Sequence, residues 1–138
     1  MSRHSGMTAR ELAHLGHLQR EIELDRRRLR ELEAAATDTS SRVTGLPWLG
    51  GVSDKTALAA AIADCKDAIE RKTLRSLQQY QQVSDFIAGV DDSLLRQILS
   101  LRCLDHLTWR QVAAKVGYGN TEDSVKQAFH RFLKSSEQ

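Results

Sequence analysis

Towards the C-terminal end of the chain, Ser124, Lys126, Gln127, His130, Arg131 and Lys134 recur at spacings that place them along one side of a helix. Their chemistry is that of nucleic-acid contact. Cationic stems at Lys126, Arg131 and Lys134 can hold phosphates, while Gln127 and His130 can exchange hydrogen bonds with base edges in a major groove. Behind them Val125, Ala128, Phe129, Phe132 and Leu133 recur three and four apart, an apolar stripe that must face another element. A polar and mostly basic row braced from behind is what a recognition helix requires. The plainer alternative is an amphipathic helix with a solvated basic face.

No comparable constellation suggests catalysis. The sequence offers no Gly-rich phosphate loop and no nucleophile with a plausible base, and its carboxylates sit among basic neighbours. A non-enzymatic protein without cofactor or metal is expected. Cys65 and Cys103 are flanked by apolar residues on different predicted helices, and buried free thiols are favoured over a disulfide or metal pair. His14 and His17 stand three apart without a third ligand nearby in sequence, so surface histidines are expected.

The elements that would position the basic row form a helix-turn-helix over Leu107 to Lys134. Thr108 is a good N-cap, and Val112, Ala113 and Val116 fall on one face of a short helix that Gly117 ends. A second helix restarts with Asn120 or Thr121 as its cap, and with Glu122 and Asp123 near its positive end. Ala113 and Gly117 suit the motif, since a small residue lets the helices approach and a glycine permits the left-handed turn. Arg110 and Lys115 are candidates for the flanking phosphate backbone. Trp109 is expected to serve as core or wedge.

Charge sharpens this reading. Charged residues make up 28% of 138 positions, yet the formal net charge is only +2, which argues against nonspecific adhesion to DNA through bulk charge. Between Thr108 and Lys134, Arg110, Lys115, Lys126, Arg131 and Lys134 oppose only Glu122 and Asp123, so the local surplus exceeds that of the whole chain.

Leu and Ala dominate, aromatics are 5%, and there is one proline, so an all-α fold is expected: a long, coiled-coil-like helical hairpin over 1–90, then a three-helix helix-turn-helix domain over 91–138. After a polar, frayed Met1 to Met7, a helix from Thr8 to about Ala36 carries a stripe of Leu15, Leu18, Ile22, Leu29, Leu32 and Ala36, with Asp25 in its one polar slot. Arg26, Arg27, Arg28 and Arg30 alternate with acidic residues and read as a solvated face. A Thr, Ser and Gly-rich loop over 37–52 follows, whose Leu46-Pro47-Trp48-Leu49 centre either packs back on the hairpin or docks a partner. Ser53 or Asp54 caps a second long helix ending before Gly89, with a stripe of Leu58, Ile62, Cys65, Ile69, Leu77, Tyr80, Val83 and Ile87 that Lys72 and Thr73 weaken. Asp91 to Ser93 restart a helix whose inner face is expected to hold Leu94, Leu95, Ile98, Leu101 and either Leu104 or Leu107. No charged-then-apolar leader opens the sequence and no apolar run approaches membrane-spanning length, which leads to the expectation of a soluble, cytoplasmic protein.

Two resemblances bear on function. Ile98-Leu99-Ser100-Leu101-Arg102, then Leu107 to Ala113, Gly117-Tyr118, and Val125-Lys126-Gln127 with Arg131 and Leu133, together resemble region four of bacterial sigma factors. The turn from Gly117 to Val125 runs longer than in that pattern. The wider order of parts is similar to small phage and prophage proteins related to the RinA and ArpU late-gene regulators. It runs from a long charged helix through a linker ending near Gly50 to Lys55, then a second long helix, to a sigma-like end. The resemblance implies a transcriptional regulator that binds double-stranded DNA near a promoter, with RNA polymerase as a further partner and a homodimer through the long helices. The alternatives are a helical adaptor that binds polymerase or another protein without DNA, and a phage packaging adaptor of the small-terminase kind.

Overall fold

A computed structural model describes residues 7–37 and 55–136. The expectations for residues 1–6, for the Leu46 to Leu49 connection and for a cap at Ser53 or Asp54 lie outside the described residues. Within them the chain is helical, with no strand. Five helices follow in order: α1 (Ala9–Thr37), α2 (Lys55–Ala88), α3 (Ser93–Leu99), α4 (Trp109–Val116) and α5 (Glu122–Ser136), with a π-helical segment, Ser100–Leu104, continuing α3. At 1.5 Å per residue the 29 residues of α1 and the 34 of α2 extend about 44 and 51 Å. Packing divides the described residues into two compact units, one drawn from residues 7–17 and 76–136, the other from 18–37 and 55–75.

The first unit joins the three C-terminal helices to the start of α1 and the end of α2. Thr8 opens α1 by a reciprocal cap: its hydroxyl accepts from the Glu11 amide at 3.1 Å, and Glu11 Oε2 accepts from the Thr8 amide at 3.3 Å. Met7, just before the cap, packs against the core that Leu12 enters, so order begins earlier than the polar composition of the first residues suggests. Leu12 and Leu15 from α1 and Val83, Phe86 and Ile87 from α2 share that core with Ile98, Leu99, Val112, Val125 and Leu133. Each such side chain contributes about 1.5–3 kcal/mol on full burial, more than three short helices supply alone.

Asp92 caps α3 by accepting from the amides of Leu94 and Leu95. The inner face of that helix matches expectation in part: Ile98 is buried and Leu95, Leu101, Leu104 and Leu107 pack against the core, while Leu94 does not. Ile98, Leu99 and Cys103 are buried, whereas Leu94 is 38% exposed and Leu95, Leu101, Leu104 and Leu107 are only partly buried. Beyond Ser100 the phase is set by a wide turn, in which the Asp105 amide reaches the Ser100 carbonyl at 3.1 Å. An α-helix continued at 3.6 residues per turn would carry Arg102 to the centre of the inner face. The extra residue brings Cys103 there instead. Arg102 is freed to donate to the Leu107 carbonyl at 2.8 Å and to lie 4.5 Å over the Trp109 ring.

The second unit buries Leu18, Ile22, Leu32 and Leu58. Ala36, expected on the stripe, is exposed, and the neighbouring Ala35 is half-buried. At its centre Asp25 is only 7% exposed. Lys72 Nζ stands 2.6 Å from Asp25 Oδ2 and 3.3 Å from Glu21 Oε1, while Arg28 Nη1 lies 3.4 Å from Asp25 Oδ1. The Cys65 thiol donates to the Asp25 carbonyl at 3.2 Å. The polar slot of α1 thus meets the polar interruption of α2 within one chain. Arg26, Arg27, Arg28 and Arg30 are exposed.

The stripe of α2 also departs from expectation. Leu77 and Tyr80 are 61% and 44% exposed, together with Leu74 at 58%. Leu58, Ile62, Cys65, Ile69, Lys72, Ser76, Gln79, Val83 and Phe86 alternate by four and three, and none of them is exposed. This heptad seam runs unbroken through polar residues, so the helical phase set at both ends turns the mid-helix leucines outward. Among the described residues the buried Thr73 Oγ1 and Gln79 Oε1 find no hydrogen-bond partner, a cost of the polar middle.

Candidate nucleic-acid interface

Local hydrogen bonding sets where the C-terminal helices start and stop. The Thr108 hydroxyl accepts from the Gln111 amide at 3.2 Å, and Gln111 Oε1 accepts from the Thr108 amide at 2.9 Å, a full capping box. Val112, Ala113 and Val116 are buried on the inner side of α4, and the Gly117 amide closes its last turn on the Ala113 carbonyl at 3.0 Å. Asn120 then donates to the Gly117 carbonyl twice, from its amide at 3.1 Å and from Nδ2 at 2.9 Å. Of the two expected caps of α5, Thr121 takes the role. Its hydroxyl accepts from the Ser124 amide at 3.1 Å, and Ser124 Oγ accepts from the Thr121 amide at 2.9 Å. Ser124 is exposed, but its hydroxyl also reaches the Thr121 carbonyl at 3.0 Å, so its chemistry goes into holding the start of the helix.

Helix α5 buries Val125, Phe129 and Leu133 and half-buries Ala128 and Phe132. Lys126, Gln127, His130, Arg131 and Lys134 are all exposed. At about 100° per residue, Gln127 and Lys134 lie opposite the buried stripe, with Asp123 and His130 beside them. Lys126 and Arg131 flank this line, about 140° apart around the axis. Cations thus stand on both flanks of a central line made of Asp123, Gln127, His130 and Lys134. Among the described residues no ion pair engages Lys126, Arg131 or Lys134. His130 is oriented from behind, with its ring 5.3 Å from that of Phe129 and 6.1 Å from that of Trp109. Trp109 in turn meets Phe129 edge-on at 4.9 Å, which makes it a wedge between α4 and α5.

The two candidates on α4 are both exposed, but they stand about 140° apart around its axis. Lys115 lines an open groove of about 480 Å³ with Ile87, Ser93, Arg96, Gln97, Ser100 and Leu101, to which α5 contributes nothing. It is therefore grouped with Arg96, whose guanidinium is anchored on the carbonyls of Val90 and Asp91 at 2.6 and 3.0 Å, and not with the α5 row.

Two residues of this region lie outside the expected contact row. Asp123 lies in line with Gln127, His130 and Lys134, a placement that the spacing of four, three and four carries. Tyr118 is fully exposed (101%) and holds a left-handed backbone, φ +53°, between Gly117 at +68° and Gly119 at +76°. A glycine on either side of a tyrosine was the available signal.

Burial pushes the Cys103 thiol up to about 12, which leaves it protonated at neutral pH. Cys65 is free and half-buried, raised first by burial and then by the nearby Asp25 charge. Among the described residues no helix is long and apolar enough to cross a membrane. Comparison with protein families, with curated proteins and with solved structures finds no match to this chain.

Proposed function

We propose that the chain is a sequence-specific, double-stranded-DNA-binding transcriptional regulator of the phage or prophage kind, acting near a promoter. One observation carries this reading: the exposed row of Lys126, Gln127, His130, Arg131 and Lys134 on a helix whose opposite side is buried against α3 and α4. In it, α3, α4 and α5 form the helix-turn-helix head, and α1 and α2 form a hairpin whose register the Asp25 and Lys72 pair sets. Lys126, Arg131 and Lys134 hold phosphates, Gln127 and His130 meet base edges, and Arg110 touches the flanking backbone. The exposed Leu74, Leu77 and Tyr80, three apart along α2, supply the face for a homodimer. Contact with RNA polymerase rests on the sigma-like resemblance.

Selection of bound fragments from random duplex DNA, followed by anisotropy titrations on the selected site, tests the reading. Lys126→Ala and Arg131→Ala should each weaken binding and reduce the slope of log K against log salt by about one unit. Unchanged affinity and slope in the double variant would remove both residues from the interface.

A second reading, a protein-interaction adaptor without DNA binding, is favoured by Asp123 at the first turn of the outer row and by the groove that Lys115 shares with Arg96. Failure to enrich any DNA sequence, with no binding of mixed duplex at low salt, would select it.

A further inference from the structure

Two residues other than glycine hold a left-handed backbone among the described residues, His106 at φ +58° and Tyr118 at φ +53°. Packing accounts for the first. The His106 ring lies so close to α1 that a Cβ at Gly16 would stand 3.1 Å from its Nδ1. Nothing inside the fold accounts for the second, because the Tyr118 side chain is wholly exposed. The turn needs a positive φ at three successive positions, and glycine meets that need at Gly117 and Gly119. A Cβ at either glycine would meet nothing within 4 Å, so backbone conformation and not lack of room calls for glycine there. At the middle position an aromatic side chain occupies a conformation that glycine would adopt with less strain.

We propose that Tyr118 is a DNA-contacting residue, its phenol donating a hydrogen bond to a backbone phosphate beside the start of α5. This rests on the DNA-binding reading. Tyr118 lies three positions before Thr121, the cap of the end of α5 that enters the groove in helix-turn-helix docking. The support is firm, since both Asn120 donors close on the Gly117 carbonyl and fix the path of the turn. Tyrosine hydroxyls are common phosphate partners, and they position a protein without reading sequence. An uncharged donor also displaces no counterion, which separates its contribution from that of Lys126 or Arg131.

The full chain carrying Tyr118→Phe or Tyr118→Gly is titrated with the selected duplex at several salt concentrations and is melted without DNA. Tyr118→Phe should weaken binding about tenfold, the loss of one hydrogen bond to a charged group, with the salt slope unchanged. Tyr118→Gly should weaken it at least as much, while its thermal midpoint stays level or rises by a few degrees (~2–4 °C) as strain is relieved. Wild-type affinity in the phenylalanine variant, or a lower midpoint in the glycine variant, overturns the assignment. If the unsubstituted protein binds no duplex, the DNA-binding reading falls and this one with it; binding that Tyr118→Phe leaves intact sinks this one alone.

Discussion

Removing Lys72 should cost more than removing Asp25, although the two are partners. Asp25 is 7% exposed, whereas the Lys72 side chain keeps 28% of its surface in solvent. Lys72→Ala strands a buried carboxylate whose remaining cation, Arg28, is 3.4 Å away on a side chain 53% exposed. Breaking a buried pair costs about 3–5 kcal/mol, and partial water access at the lysine lowers this to about 2–3 kcal/mol. Asp25→Ala leaves Lys72 with Glu21 at 3.3 Å and a stem long enough to reach water, so about 1 kcal/mol is expected. Replacing both by leucine, which continues the apolar seam, should be neutral or stabilising. Urea unfolding followed by circular dichroism measures all three. Equal costs for the two alanine variants, or a double-leucine protein less stable than either, would refute the assignment of an enclosed charge held in register by its partner. The pH dependence has a definite sign. Lys72 is raised above 10.5, first by its hydrogen bond to Asp25, so its contribution is complete at neutral pH and fades only as pH rises through the shifted value.

Gly16→Val should destabilise the chain by about 1–3 kcal/mol, seen as a lower melting temperature, because the added branch meets the His106 ring where a Cβ alone already reaches 3.1 Å. Restored wild-type stability on combining it with His106→Ala would locate the clash. Cys103 should resist alkylation in the folded protein at mildly alkaline pH, where its thiol, pushed up to about 12, stays protonated. Cys65, half-buried, should be modified first; mass spectrometry of the peptides reads the order. Leu77→Asp should leave urea stability within about 0.5 kcal/mol, since Leu77 is 61% exposed, yet lower the mass seen by light scattering if α2 forms the dimer face. An unchanged mass would move the dimer elsewhere or remove it.

Helix content and the C-terminal boundaries were legible because they depend on local chemistry. Thr108, Gly117 and Thr121 cap or stop helices through atoms three or four residues away, and a single sequence displays such neighbours. The outward row of α5 was legible for the same reason: the period of Val125, Phe129 and Leu133 assigns the other side to Lys126, Gln127, His130, Arg131 and Lys134. The inner face of α3 was legible in part, with Ile98 in the core and Leu95, Leu101, Leu104 and Leu107 against it, but the place of Cys103 was not. A widened turn changes the phase by one residue, and its advantage, keeping Arg102 out of the core beside Trp109, exists only once α4 is in place.

The middle of α2 departs from the expected stripe at Leu77 and Tyr80, which are exposed. Its heptad spacing was there to be counted, but only the meeting of Lys72 with Asp25 explains why a charged residue belongs in that seam while Leu74 and Leu77 face solvent. The separation of Lys115 from α5, the use of the Ser124 hydroxyl as a cap, and the contrast between an enclosed His106 and an open Tyr118 were likewise decided by tertiary structure. The amino-acid order alone determined where helices begin, end and show an apolar side, since those interactions span one or two turns. Which polar groups are enclosed, and which strained residue has a partner, depends on surfaces brought together from residues tens of positions apart.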